Sequence, residues 1–272
     1  MRVSSLTERP GPDPPPGVFC QDVHELLVFV AAMIAGGINS VAGGGSLVSF
    51  PTLIWLGVPP ITANATNKAA IWLGTLGSVW GYRRELRGVD PRVYALVVPS
   101  VIGGIGGAVL LYRTPPVVFD VLVPVLVLFS TCLFMAQEPL QRRFNLSAAH
   151  AARSHWLSWT MAFQLVVALY GGYFGAGIGI LMLAALSLMG HTDIHRMNGL
   201  KNLLATCING VSATYFVYAG LVIWSDAFVM ALGAVVGGVA GASLARRIGR
   251  TAVQRTVVVV GFVMALALMA RL

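Results

Sequence analysis

Six stretches of the chain, at about 61–82, 93–112, 117–136, 198–223, 227–245 and 254–270, are predominantly apolar over close to the length of one membrane crossing. About twenty residues of α-helix, rising ~1.5 Å each, span the ~30 Å of hydrocarbon in a bilayer. No other feature narrows the fold so far. In lipid every backbone amide must be paired inside its own helix or in a closed barrel, and the alternating pattern of a barrel strand does not occur in these windows. They predict an all-α polytopic membrane protein. Composition agrees: 57% of the 272 residues are hydrophobic and 10% charged, with a mean hydropathy of +0.79, outside the range of soluble domains.

The formal charge of +8 does not indicate nucleic acid, because the arginines lie in short loops between apolar spans and form no single basic face. Cys20, Cys132 and Cys207 have neither disulfide-framework nor zinc-site spacing, so no metal or cofactor is expected. The segment 1–24 is proline-rich, lacks the apolar core of a secretory signal, and is expected to be disordered.

Two further segments, 26–58 and 156–190, are too long for one perpendicular span and too short for two with a turn. Each has a glycine cluster near its centre, GGINSVAGGG in the first and YGGYFGAGIG in the second. Shifting the sequence by 134 positions aligns these clusters: Gly37 with Gly171, Ala42 with Ala176, Gly43 with Gly177 and Gly45 with Gly179. Asn64 then meets Asn198, and Asn67-Lys68 meets Lys201-Asn202. The chain therefore reads as two repeats, residues 25–136 and 156–272, joined by a polar linker at 137–155 expected on the cytoplasmic side.

Positive loops mark the cytoplasmic face. Those containing Arg83, Arg84, Arg87 and Arg92, then Arg142, Arg143 and Arg153, then Arg246, Arg247 and Arg250 fall on one side only if each broken segment enters and leaves on the same side or crosses twice. Each repeat is then a Gly-broken helical hairpin plus three transmembrane helices, the two repeats are inverted, and both termini lie outside. Inverted repeats with matching interruptions point to a transporter binding site at the breaks.

A glycine cluster inside a span frees amides from the helical ladder. Half-helices beginning near Ser46 and Gly179 would offer those amides, and their positive dipole ends, to an anion. The competing reading is close helix packing through small residues. Of 18 basic residues only Lys68 and Lys201 are lysines, and both lie within apolar segments. A lysine at membrane depth costs several kcal/mol or more unless paired or hydrated, and the carboxylates nearest the spans, Asp120, Asp193 and Asp226, sit at span ends. The missing negative charge then falls to a substrate, against the alternative that both lysines snorkel to the interface. The candidate substrate-binding residues are Lys68, Lys201, Asn64, Asn67, Asn198, Asn202, Gly43, Gly44, Gly45, Ser46, Gly177, Ile178 and Gly179. His191, Asp193, His195 and Arg196 are expected in a solvated edge loop and not at a metal.

The stretch GGINSVAGGGSLVSFPTLIWLGVPPITANATNKAA, with the later GAGIGILMLAALSLMG and MNGLKNLLA, resembles the sulfite exporter TauE/SafE family, also called the toluene sulfonate uptake permease family, over about residues 25–270. In the second repeat Ile178 replaces a common glycine and Ala185 stands opposite Pro51. The resemblance implies a multi-pass transporter of the cytoplasmic membrane, with members linked to sulfite, sulfonates, sulfoacetate and related anions. Together these readings predict a secondary transporter of a small anion working by alternating access between the repeats. An anion channel is the alternative. A membrane-embedded enzyme is disfavoured because no carboxylate pair, Ser-His constellation or HExxH lies in a span, and no P-loop supplies an ATP site. The expected partners are the substrate and the bilayer, and no feature specifies an oligomeric state.

Overall fold

The computed structural model describes residues 18–41, 44–81, 83, 86–87, 94–136, 156–188, 194–248 and 250–270. The described residues form ten helices and no strands. In chain order these are α1 (Val18–Val41), α2 (Ser46–Trp55), α3 (Pro60–Gly81), α4 (Val97–Arg113), α5 (Pro116–Met135), α6 (Trp156–Tyr173), α7 (Ile178–Leu188), α8 (Ile194–Tyr218), α9 (Trp224–Ile248) and α10 (Arg250–Met269). The six expected spans correspond to α3, α4, α5, α8, α9 and α10 within a few residues. The two broken segments are α1–α2 and α6–α7. Residues 1–17, the whole 137–155 linker and Gly43 lie outside the described residues.

Burial is arranged as in a protein solvated by lipid. Val117, Leu232, Val259 and Leu266 are among many aliphatic side chains on the outer surface. The fully covered polar side chains include Asn64, Asn67, Lys68, Gln164 and Ser212. A water-soluble domain distributes these classes the other way, whereas polar groups at membrane depth turn inward. Two stretches, Asp22–Asn39 and Pro116–Met135, are long and apolar enough to cross a membrane as uninterrupted helices.

Packing follows the repeat. Equivalent helices are five labels apart, and contacts recur under that exchange: α1 packs on α9 as α6 packs on α4, and α3 packs on α9 as α8 packs on α4. The α1–α9 and α4–α6 contacts are the most extensive, and both are close crossings through small residues. A Cβ added at Gly237 would fall on the Met33 carbonyl, and one at Gly107 on the Leu169 carbonyl. Glycine therefore serves the packing role in α4 and α9, and also inside the two clusters, where a Cβ at Gly36 would fall on the Ala234 carbonyl and one at Gly172 on the Gly104 carbonyl.

At the breaks the chain turns back. A Cβ at Gly45 would meet the carbonyl of Ala35, ten residues earlier, which a continuous helix would place about 15 Å away. The second break runs through Gly175 and Gly177, at φ of 92° and 78°, a region that side-chain-bearing residues rarely occupy. It is braced from outside: the Tyr170 hydroxyl donates to the Ala176 carbonyl at 2.8 Å and lies 2.7 Å from the Ser130 hydroxyl of α5.

α3 and α8 run antiparallel past each other. Trp72 lies against Gly210, and four residues back along α3 the Lys68 ammonium sits over the Phe216 ring, 5.7 Å from its centroid.

Candidate functional site

One small cavity, about 70 Å³, lies where the two breaks meet the α3–α8 pair. The first break contributes Gly44, Gly45 and Ser46, and the second contributes Gly175, Gly177, Ile178 and Gly179. From α3 come Lys68, Ile71 and Thr75, spaced i, i+3, i+7 along one helical face. From α8 come Lys201, Asn202, Ala205 and Asn209, at i, i+1, i+4, i+8. Asn39 of α1 and Phe174 also line it, and among the described residues the lining holds no acidic side chain. The lining keeps the repeat register: positions 44 and 178, 45 and 179, 68 and 202, 71 and 205, and 75 and 209 each differ by 134.

The N-terminal ends of α2 and α7 both face this space. Gly45 precedes α2 without a side-chain cap, and Gly177, which precedes α7, has no side chain to give. Helix N-termini carry unpaired N–H groups and the positive end of the macrodipole. Part of the first turn closes locally, Leu47 N–H to Gly44 O at 3.0 Å in α2 and Ile180 N–H to Gly177 O at 3.0 Å in α7.

The two lysines are placed differently. Lys68 is 3% exposed, and its ammonium donates to the carbonyls of Gly171 and Gly172. One turn earlier on α3, the Asn64 amide donates to Tyr173 O at 2.8 Å. Asn64 and Lys68, at i and i+4, thus cap three successive carbonyls at the C-terminal end of α6, where the ladder has run out of donors and the dipole is negative. Lys201 is partly exposed, with its aliphatic stem against Gly179, where a Cβ would lie 3.2 Å from the lysine Cδ.

Of the residues singled out from the sequence, Lys68, Lys201, Asn202, Gly44, Gly45, Ser46, Gly177, Ile178 and Gly179 come together around the cavity. Asn64, Asn67 and Asn198 are not on its wall. Asn64 caps α6, and the Asn67 carbonyl accepts from the Ser49 hydroxyl at 2.6 Å, tying α3 to α2. Gly43, His191 and Asp193 lie outside the described residues. Asp226, read as a span-end carboxylate, is in the first turn of α9 and lies 3.2 Å from His24 of α1. Asn39, Thr75 and Asn209 were not selected by sequence reasoning. The 134-residue register, extended two turns beyond the lysines, pairs Thr75 with Asn209 and was the available signal.

Comparisons with known proteins agree with this architecture. The family model for the sulfite exporter TauE/SafE matches residues 28–268. A probable membrane transporter protein of Haemophilus influenzae is 27% identical over 243 residues, covering 88% of this chain and 91% of that protein. The probable membrane transporter protein YfcA of Escherichia coli K12 is 26% identical over 244 residues, covering 89% and 88%. The probable membrane transporter protein ORF9 of a Sinorhizobium species is 25% identical over 243 residues, covering 89% and 91%. No solved structure matches the chain. With the family model covering almost everything after the first 27 residues, the chain belongs to the sulfite exporter TauE/SafE family of membrane transporters.

Proposed function

We propose that the cavity is the substrate site of a secondary transporter carrying a small anion, a sulfur oxyanion or sulfonate, across the cytoplasmic membrane by alternating access. The observation that carries this reading is the convergence of both chain breaks and both lysines on one space whose described lining holds no acidic residue. Two helix N-termini aimed at one point favour negative charge there, and Lys201 adds an ammonium at the wall. Lys68 contributes its charge while anchored to α6.

The antiparallel course of α3 and α8 supports inversion of the repeats. Two helices related by a two-fold axis run antiparallel only when that axis is perpendicular to them, which for membrane-spanning helices lies in the membrane plane. The fold-back at Gly45 against Ala35 supports broken segments that return to the side they came from, and with them a common cytoplasmic face for the positive loops. The closely packed α1–α9 and α4–α6 pairs each join the first helix of one repeat to the fourth of the other. Rocking of one such pair against the other would open the cavity to alternate sides.

The test is sulfite flux in proteoliposomes. A carrier saturates at modest concentration and is accelerated by sulfite on the far side, and Lys201→Met, which keeps length and removes charge, abolishes the saturable flux while inserting normally. Flux linear in concentration without trans-stimulation would assign a channel, and undiminished flux in the Lys201→Met protein would remove that ammonium from the site.

A further inference from the structure

Asn209 and Thr75 occupy equivalent places in the two repeats, 134 residues apart, on the helices that cross antiparallel beside the cavity. The Trp72 indole lies against Gly210, which brings Thr75 and Asn209, each within a turn of that contact, close to the same level. Both line the cavity. The Thr75 hydroxyl gives its proton to the Trp72 carbonyl at 2.8 Å, so what it presents to the cavity is acceptor capacity. Asn209 is only 7% exposed, and among the described residues its carboxamide has no hydrogen-bond partner. A carboxamide always carries an acceptor beside its donor. The Lys201 ammonium and the helix N-termini at the breaks bring donors that suit the oxygens of an anion, while Lys68 spends its own on the end of α6. The acceptors of Thr75 and Asn209 have nothing to accept from when a bare anion fills the space and water leaves.

Resting on the anion-site reading above, we propose that Asn209 and Thr75 are specificity-determining residues that select an anion bringing its own hydrogen-bond donor, a hydroxyl or a retained acidic proton. A site whose buried polar groups match a substrate hydroxyl discriminates strongly against the analogue lacking it, because that analogue leaves them unpaired.

The experiment compares two sulfonates of equal charge and nearly equal shape, isethionate and 1-propanesulfonate, one ending in a hydroxyl and the other in a methyl, with sulfite as the reference anion. Binding is measured by calorimetry on the purified full-length protein at one pH. The wild type binds isethionate more tightly by on the order of tenfold to a hundredfold, the range expected for one buried acceptor left unpaired. Thr75→Val and Asn209→Leu each bring that ratio towards one, and Asn209→Asp abolishes binding of all three anions. Thr75→Val is close to isosteric and decides the matter if the leucine variant does not fold. Sulfite binding with no preference between the sulfonates, or a preference unchanged in Thr75→Val, overturns the selection proposal alone. A wild type that binds none of the three overturns the anion site and the selection proposal with it.

Discussion

Replacing Lys68 by methionine separates the anchoring role of this residue from a purely ligand-binding one. The side chain is covered on all sides, and its ammonium bonds the carbonyls of Gly171 and Gly172 above the Phe216 ring. Methionine keeps the length and the apolar stem but leaves both carbonyls without a donor. Each buried carbonyl left unpaired costs about 1–3 kcal/mol, and the lost cation–π contact adds about 0.5–2 kcal/mol. Against this stands the recovered desolvation of the ammonium, several kcal/mol in a buried site. Setting several kcal/mol recovered against about 2.5–8 kcal/mol lost leaves a net loss of up to about 4 kcal/mol, located at the end of α6 and not spread over the bundle. Thermal unfolding in detergent should show a lower midpoint than wild type, and hydrogen exchange should accelerate in peptides covering 171–177 while those covering α9 stay protected. Under the proposed function sulfite transport falls as well, because the second break loses its fixed position. A Lys68→Met protein with wild-type melting and unchanged exchange at 171–177, yet without transport, would refute the anchoring argument and return Lys68 to direct substrate contact.

Three other perturbations follow from the same geometry. Tyr170→Phe removes the hydroxyl that holds Ala176 O and meets Ser130; a loss of about 1 kcal/mol should raise the sulfite KM more than it lowers maximal flux and speed exchange at 174–179, and an unchanged KM would show that the brace does not position the site. Gly237→Ala places a methyl on the Met33 carbonyl, whereas Gly238→Ala meets nothing within 4 Å, so the first should cost about 1–3 kcal/mol in thermal unfolding and the second almost nothing; equal effects would contradict the close α1–α9 contact. Single cysteines at positions 87 and 247 should both react with an impermeant thiol reagent from the cytoplasmic face, and labelling of position 247 from outside would contradict the inverted arrangement.

Helix positions were legible because lipid imposes a simple length rule, and α5 (Pro116–Met135) falls within a residue of its apolar window. The breaks were legible from excess length and glycine, and the pairing of the breaks from the repeat. The roles of the asparagines were harder to read. Asn64 and Asn67 stood out for their nearness to Lys68 in sequence, yet on a helix nearness along the chain does not set direction. Asn64, four residues before Lys68, shares its face and its target, the end of α6. Asn67, one residue away, points toward Ser49 of α2. Thr75 and Asn209 sit in stretches that read as ordinary apolar helix, and only packing against the repeat-equivalent helix turns them toward the cavity.

The polarity of a broken helix ties these observations together. Any interruption in lipid leaves carbonyls without donors on one side and amides without acceptors on the other. Here the carbonyl end of α6 is satisfied internally by Asn64 and Lys68, donors drawn from the opposite repeat. The amide ends of α2 and α7 are turned to a cavity in whose wall, among the described residues, there is no carboxylate. A protein that supplies its own donors to one end of a break, and no anionic acceptor to the other, leaves that role to a guest. For the proposed anion site this is support independent of the lysines: even with the charge of Lys68 engaged at α6, the positive dipole ends of α2 and α7 favour negative charge. The same asymmetry explains why a lysine at membrane depth need not be a ligand, since Lys68 is retained by the helix end that it completes.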